Sequence, residues 1–256
     1  MSQLGKLNRK TKIIASIATF ASLYTVLRMI QTVPMIGIQG ASFSPSDVLA
    51  PIYGILLGSY VGGASIILGT FLAIALGRPV SFLFLDFLPA MVNAIALGFL
   101  VRRKWTPAVI LNVALLLVFL LNPLTSIFVN VPLGNTTISF PFAWMHIAAF
   151  AVLLSPLGRK AGQWIETAKS TRITTGIAIL GFIGTMMQHL MGGILFEVVL
   201  GQIINPPVIV AAAYPGIWTT VFFLYPWERL VLILLAVVVG TPLVRALSNS
   251  LFRFEE

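Results

Sequence analysis

Residues 47–77 read DVLAPIYGILLGSYVGGASIILGTFLAIALG, an apolar run in which Gly54, Gly58, Gly62, Ser65, Gly69, Ala73 and Gly77 recur three or four positions apart. Small side chains at that spacing form a stripe along one helix face. In lipid, where no water drives apolar faces together, such stripes let helix backbones approach closely. In an exposed soluble helix the same glycines would each cost about 1 kcal/mol. The stretch is longer than the ~20 residues of a single crossing, and the pair Gly62-Gly63 marks where a turn is expected. It is predicted to be a broken hairpin scaffold, with Gly54, Gly58, Gly62, Gly69 and Ala73 as its packing surface.

Composition extends this reading to the whole chain. Of 256 residues 58% are hydrophobic and only 9% charged, against roughly 25% charged in soluble domains. The expected fold class is all-α, a polytopic transmembrane helix bundle forming a single integral membrane domain over residues 1–256. The net charge of +9 does not point to nucleic acid, because the basic residues sit in short clusters at the ends of apolar runs and so set orientation. Cysteine is absent, which excludes disulfides, thiolate nucleophiles and cysteine metal sites. The first apolar run, 13–33, lacks a clear small-residue cleavage site and is treated as a retained span.

Four basic clusters fix the parity of the crossings: Lys6, Arg9, Lys10 and Lys12; Arg102, Arg103 and Lys104; Arg159, Lys160, Lys169 and Arg172; and Arg245 with Arg253. If all face the cytoplasm, 47–77 counts as two passes or as none, and charge does not separate a full hairpin from a re-entrant one. The expected elements are 13–33, 47–77 (broken), 82–101, 107–130, 141–158, 173–199, a partly inserted 203–224 containing Pro206, Pro207, Pro215 and Gly216, and 228–247. This gives about six to eight membrane elements in the cell membrane, with both termini cytoplasmic. The external loop carries Asn135-Thr136-Thr137, a glycosylation sequon meaningful only if the host modifies that face.

A lone ionisable group in the bilayer core costs about 2.5–3.5 kcal/mol even on insertion scales, so each one calls for an explanation. Arg28 ends the first span and Asp47 opens the next element on the same side. Both fit either interfacial snorkelling and capping or a ligand cavity beneath the 31–46 loop with Gln39 and Phe43. His189 and Glu197, eight positions apart, fall roughly on one helical face. The candidate ligand-binding residues are Asp47, Asp86, Asn93, His189, Glu197 and Trp218. Met186, Met187, His189 and Met191 do not make a convincing copper site, since consecutive helical residues diverge and methionine is an ordinary filler of apolar gaps. No metal is assigned. Tyr225-Pro226-Trp227-Glu228-Arg229 reads first as an interfacial belt.

Enzyme signatures are missing: there is no Gly-x-Ser-x-Gly elbow, no His-Glu-x-x-His and no phosphate loop. The chain is expected to be non-enzymatic, without a cofactor, and unable to power transport with ATP itself.

Residues 12–104 resemble the substrate-binding S-component of energy-coupling-factor vitamin transporters. The likeness rests on a first helix with Ala15, Ala18, Ser22 and Thr25, then Leu27-Arg28 and a loop. Ser46-Asp47 then leads into Pro51-x-x-Gly54-x-x-x-Gly58, Gly62 and Gly69, followed by a helix ending Gly98 to Arg102-Arg103-Lys104. The stretches Tyr225-Pro226 and Pro242-Leu243-Val244-Arg245 look like the family's final helix. The resemblance covers about half the chain. It implies a subunit that captures a small molecule from outside and topples toward the cytoplasm while docked on a transmembrane coupling subunit and two ATPases. The docking surface implied by the resemblance is Ala18 with Ser22 and Ala21 with Thr25. Six helices are usual in that family, so the extra elements around 107–158 or 203–224 depart from it. Two other readings fit the same composition: a non-catalytic structural subunit of a respiratory or oxidase complex, and a redox protein ligated through His146 or His189.

Overall fold

The computed structural model describes residues 3–38, 40–134, 136–167, 169–205 and 207–247. Gln39, Asn135, Pro206 and Arg253 lie outside them, as do the side chains of Lys6 and Arg9. Among the described residues the regular structure is nine helical elements and one two-stranded ribbon. Four helical segments are long and apolar enough to cross a membrane: Lys10–Met29, Ser46–Ala75, Ser170–Ile204 and Ala212–Leu247.

Helix α1 (Gln3–Met29) packs against α2 (Ser46–Ala75), and α2 is not straight. Gly58 has φ 79° and ψ −178°, backbone space open essentially only to glycine. A Cβ on Gly62 would lie 2.9 Å from the Tyr53 carbonyl oxygen and 3.5 Å from Gly54 N, although nine residues of unbroken helix span about 13 Å. The chain therefore folds back at Gly58, and its arms, 46–57 and 59–75, pack on each other. The break expected near Gly62 and Gly63 is corrected to Gly58. Of Gly58, Gly62 and Gly63 only Gly58 has positive φ, and a Cβ there would overlap the Arg102 guanidinium. Gly62 serves as the close contact between the arms instead.

Gly54, Gly69 and Ala73 lie where helices meet, whereas Gly77 has nothing within 4 Å of where a Cβ would stand. A Cβ on Gly54 would strike the Ala94 carbonyl, and one on Gly69 would strike the Ala21 carbonyl and Tyr24. Ala73 is fully buried. Thr25 Oγ1 donates to Gly69 O at 3.0 Å and Tyr53 Oη to Phe20 O at 2.7 Å, fastening α1 to both arms.

Helix α3 (Leu88–Val101) starts later than the expected 82–101, because residues 78–87 form a loop closed by Asp86. Helix α4 (Trp105–Leu120) ends well before residue 130. Asn122 Oδ1 accepts from Leu124 N at 3.0 Å ahead of a β-ribbon of β1 (Phe128–Leu133) and β2 (Thr136–Pro141). The fold is all-α as expected, with this short ribbon as an addition between α4 and α5, and its β-branched Val129, Val131, Thr137 and Ile138 suit paired strands. The expected 141–158 span is divided between α5 (Trp144–Leu154) and α6 (Pro156–Ile165). Ser155 caps α6 by accepting from Leu157 N, with Pro156 in the first helical position.

Helix α7 (Ser170–Leu195) is the central post and runs into a π-helical stretch, Phe196–Ile204. Of its apolar window 67% is buried, against 17% for α8 (Pro207–Leu247), which lies on the outside. The separate 203–224 element is also corrected. From Pro207 on it is the first half of α8, continuous through Pro215, Pro226 and Pro242. Prolines are tolerated in apolar helices where the surrounding structure accommodates the freed backbone groups.

These elements give the bundle two distinct ends. Gly58, Arg102, the Arg103–Glu166 ion pair at 2.9 Å and the α6–α7 turn lie at one end. The C-terminal end of α1, both ends of α2 and the middle of α8 meet at the other.

Candidate functional site

Loop 30–45 closes the second end as a small antiparallel strap. Thr32 N donates to Phe43 O at 3.0 Å, Phe43 N to Val33 O at 2.9 Å and Met35 N to Ala41 O at 3.0 Å, around a Pro34–Ser42 bridge. At its tip Gly37 has φ 78° and sits so tightly on Phe196 that a Cβ would lie 2.9 Å from the ring. Beneath the strap is a cavity of about 150 Å³, about ten times the room that one buried water needs.

The fold-back at Gly58 puts both ends of α2 at this cavity, Asp47 at its start and Arg78 just after its end. Asp47 Oδ1 accepts from Gln188 Nε2 at 2.9 Å, and Gln188 Oε1 accepts from Asn93 Nδ2 at 2.8 Å. Asn93 is thus fully buried behind the wall and joined to it through Gln188. Asp86 accepts from Ser81 N at 2.9 Å through Oδ1 and from Phe82 N at 3.2 Å through Oδ2. Arg28 Nη2 approaches the Asp86 carbonyl at 3.4 Å.

Arg78 donates to the Ser42 carbonyl and, at 3.0 Å, to Ser42 Oγ, pinning the strap to the 78–86 loop. Burial lowers the affinity of its guanidinium for a proton, Arg28 adds to that effect, and Asp47 and Asp86 oppose it. A guanidinium nonetheless stays charged in proteins. Arg229 is 97% buried, lies 5.9 Å from the Phe43 ring centroid and reaches Glu228 at 3.6 Å.

The inner wall is aromatic. Trp218 Nε1 donates to Leu124 O at 2.8 Å, which fixes the indole edge-on to Phe196 at 5.7 Å between centroids. Tyr225 stacks on His189 at 4.8 Å and donates to Phe142 O at 3.0 Å. His189 Nδ1 is hydrogen-bonded to His146 Nε2 at 2.8 Å. The two imidazoles bond each other directly, and His146 Nδ1 is buried with no hydrogen-bond partner. Among the described residues no group of three His, Asp or Glu side chains converges as metal ligands would.

Of the residues singled out from sequence, Asp47, Asp86, His189 and Trp218 line the cavity, Asn93 supports it, and Glu197 lies elsewhere. Glu197 is fully buried in the π-helical stretch and accepts from Thr125 Oγ1. An eight-residue step in an α-helix leaves about 80° between the two side chains, and Glu197 is engaged by Thr125 instead of lining the cavity. Sequence reasoning passed over Arg78 and assigned Tyr225 and Arg229 to an interfacial belt. A helical repeat of Trp218, Val221, Tyr225 and Arg229 was the available signal, whereas Trp227, between them, is 70% exposed.

On α1, Ala18 and Ser22 face outward, but Ala21 and Thr25 are buried against α2. No family model, curated protein or solved structure matches the chain. What stands is a helical bundle with several long apolar helices, consistent with a polytopic membrane protein.

Proposed function

We propose that this chain is the substrate-capturing membrane subunit of a small-molecule importer, of the S-component type and powered by separate ATPase subunits. The observation that carries the reading is the strapped cavity, which gathers ionic and aromatic side chains from α1, α2, α7 and α8 at one end of an otherwise apolar bundle. Few, well-placed polar groups in a largely apolar concavity are what small-molecule sites consist of.

Orientation supports it. Arg102, Arg103, Arg159, Lys160 and Arg172 belong to the end away from the cavity, so the positive-inside rule turns the cavity outward and the termini toward the cytoplasm. The outward face of α1, with Ala15, Ala18 and Ser22 exposed, is a smooth surface on which a coupling helix could lie. The fold-back at Gly58 makes 47–77 two membrane elements in this reading.

The test is purification of the chain in nanodiscs, with thermal unfolding followed across a vitamin panel, together with isolation from its native membrane. Stabilisation by one panel member and co-isolated ATPases support the proposal. Co-isolated respiratory subunits and no stabilisation by any panel member would replace it with the structural-subunit reading.

A further inference from the structure

The cavity is unbalanced in hydrogen bonding although not in charge. Three arginines line it alongside Asp47, Asp86 and Glu228, but the two aspartates are already occupied by the chain. Both oxygens of Asp86 hold backbone N–H groups, and those of Asp47 hold Gln188 Nε2 and, at 3.5 Å, Ser44 N. The arginines are only partly so: Arg78 holds Ser42 through Nη2, Arg28 Nη2 approaches the Asp86 carbonyl and Arg229 reaches Glu228 at 3.6 Å, yet each keeps one donor nitrogen unused. Among the described residues Arg78 Nη1, Arg229 Nε and Arg28 Nε are buried and have no hydrogen-bond partner. Arg78 is 8% exposed and Arg229 3%, so neither guanidinium is a solvated surface charge. Burying unmatched donors of a permanent cation is costly, and a guanidinium fork is matched by a carboxylate or phosphate.

We infer that the cavity's occupant is a small organic oxyanion on a flat ring. Its carboxylate or phosphate is held by Arg78 and Arg229, and its ring lies against Trp218, Phe196 and Tyr225. This deepens the proposed function and rests on it. A cationic occupant would find aspartates with donors already in place and guanidinium groups that repel it. A neutral one would answer the buried donors only with weaker, uncharged acceptors. The strap contributes twice, because Ser42 holds Arg78 and the Phe43 ring covers Arg229.

The test uses the whole chain in nanodiscs and matched sets of aromatic acid, aryl phosphate, carboxamide and methylamine built on one-, two- and three-ring bodies, read by thermal shift and titration calorimetry. The expected result is that an acid or phosphate binds at least tenfold more tightly than the amide and amine on the same body. Arg78→Gln and Arg229→Gln should each remove that preference while leaving the amide's weak binding in place, and Trp218→Ala should weaken every member of a set alike. Should a glutamine variant not fold, the wild-type ranking decides alone. Tighter binding of an amine or amide overturns the oxyanion inference but leaves small-molecule capture standing, whereas no binding by any member overturns both. Comparison of phosphatidylcholine with phosphatidylglycerol nanodiscs separates the sources. Equal affinity in the two supports a free solute, and loss of binding in phosphatidylglycerol assigns the arginines to a lipid headgroup and overturns the inference.

Discussion

Gln188 on α7 joins Asp47 at the start of α2, donating to its Oδ1 at 2.9 Å while accepting from Asn93 Nδ2 on α3 at 2.8 Å. Three helices are thereby tied by one side chain that is 4% exposed. Replacing it by leucine strands a carboxylate and an amide donor. Gln188→Leu is expected to lower stability by about 1–3 kcal/mol, seen as a fall in the detergent unfolding midpoint. An unchanged midpoint would show that the relay is not formed.

Gly58→Ala places a Cβ at positive φ and into the Arg102 guanidinium. Backbone strain alone is worth about 1–3 kcal/mol there, so a sharp loss of monodisperse protein on size exclusion is expected. Gly63→Ala is the control. Its nearest neighbours are side chains at 3.6 Å, and the variant should behave as the parent does. Equal behaviour of the two variants would contradict the fold-back at Gly58.

The two faces of α1 can be separated by bulk. Ala21 and Thr25 are buried, so Ala21→Trp should unfold or destabilise the bundle by overpacking, typically by about 1–3 kcal/mol. Ala18→Trp, on the exposed face, should leave the unfolding midpoint in place yet reduce co-isolation of ATPase subunits. Retained co-isolation with Ala18→Trp would remove this face as the docking surface.

Because the chain has no cysteine, single introduced thiols report sidedness cleanly. Ser139→Cys in the ribbon should react with an impermeant maleimide on intact cells, and Lys160→Cys in α6 only after permeabilisation. The reverse pattern would invert the bundle and turn the cavity inward.

Membrane character and a break within 47–77 were legible because both follow from composition and from glycine spacing. The position of the break was not, since the Gly62-Gly63 pair is the stronger local turn signal. Gly58 carries the positive φ, and what packs against it, Arg102, is more than forty residues away in sequence. Asp47, Asp86, His189 and Trp218 stood out as isolated polar or aromatic groups in apolar sequence. Arg78 was hidden because it directly follows the apolar hairpin and reads as a helix-end cation. Glu197 was misplaced because an eight-residue step leaves about 80° between two helical side chains, enough to turn the second away from the cavity. The continuity of α8 ran against its prolines, whose effect in water is a poor guide to a helix in apolar surroundings.

The fold-back at Gly58 also bears on assembly. It brings Asp47 and Arg78 to one wall only after the intervening chain has doubled over, and the opposite wall waits for α7 and α8, well over a hundred residues later. Its lining runs from Arg28 to Arg229, so no fragment that ends before the middle of α8 contains the cavity, and occupancy would act as a signature that α8 has joined the bundle. A nascent chain that stops short of α8 would stay empty.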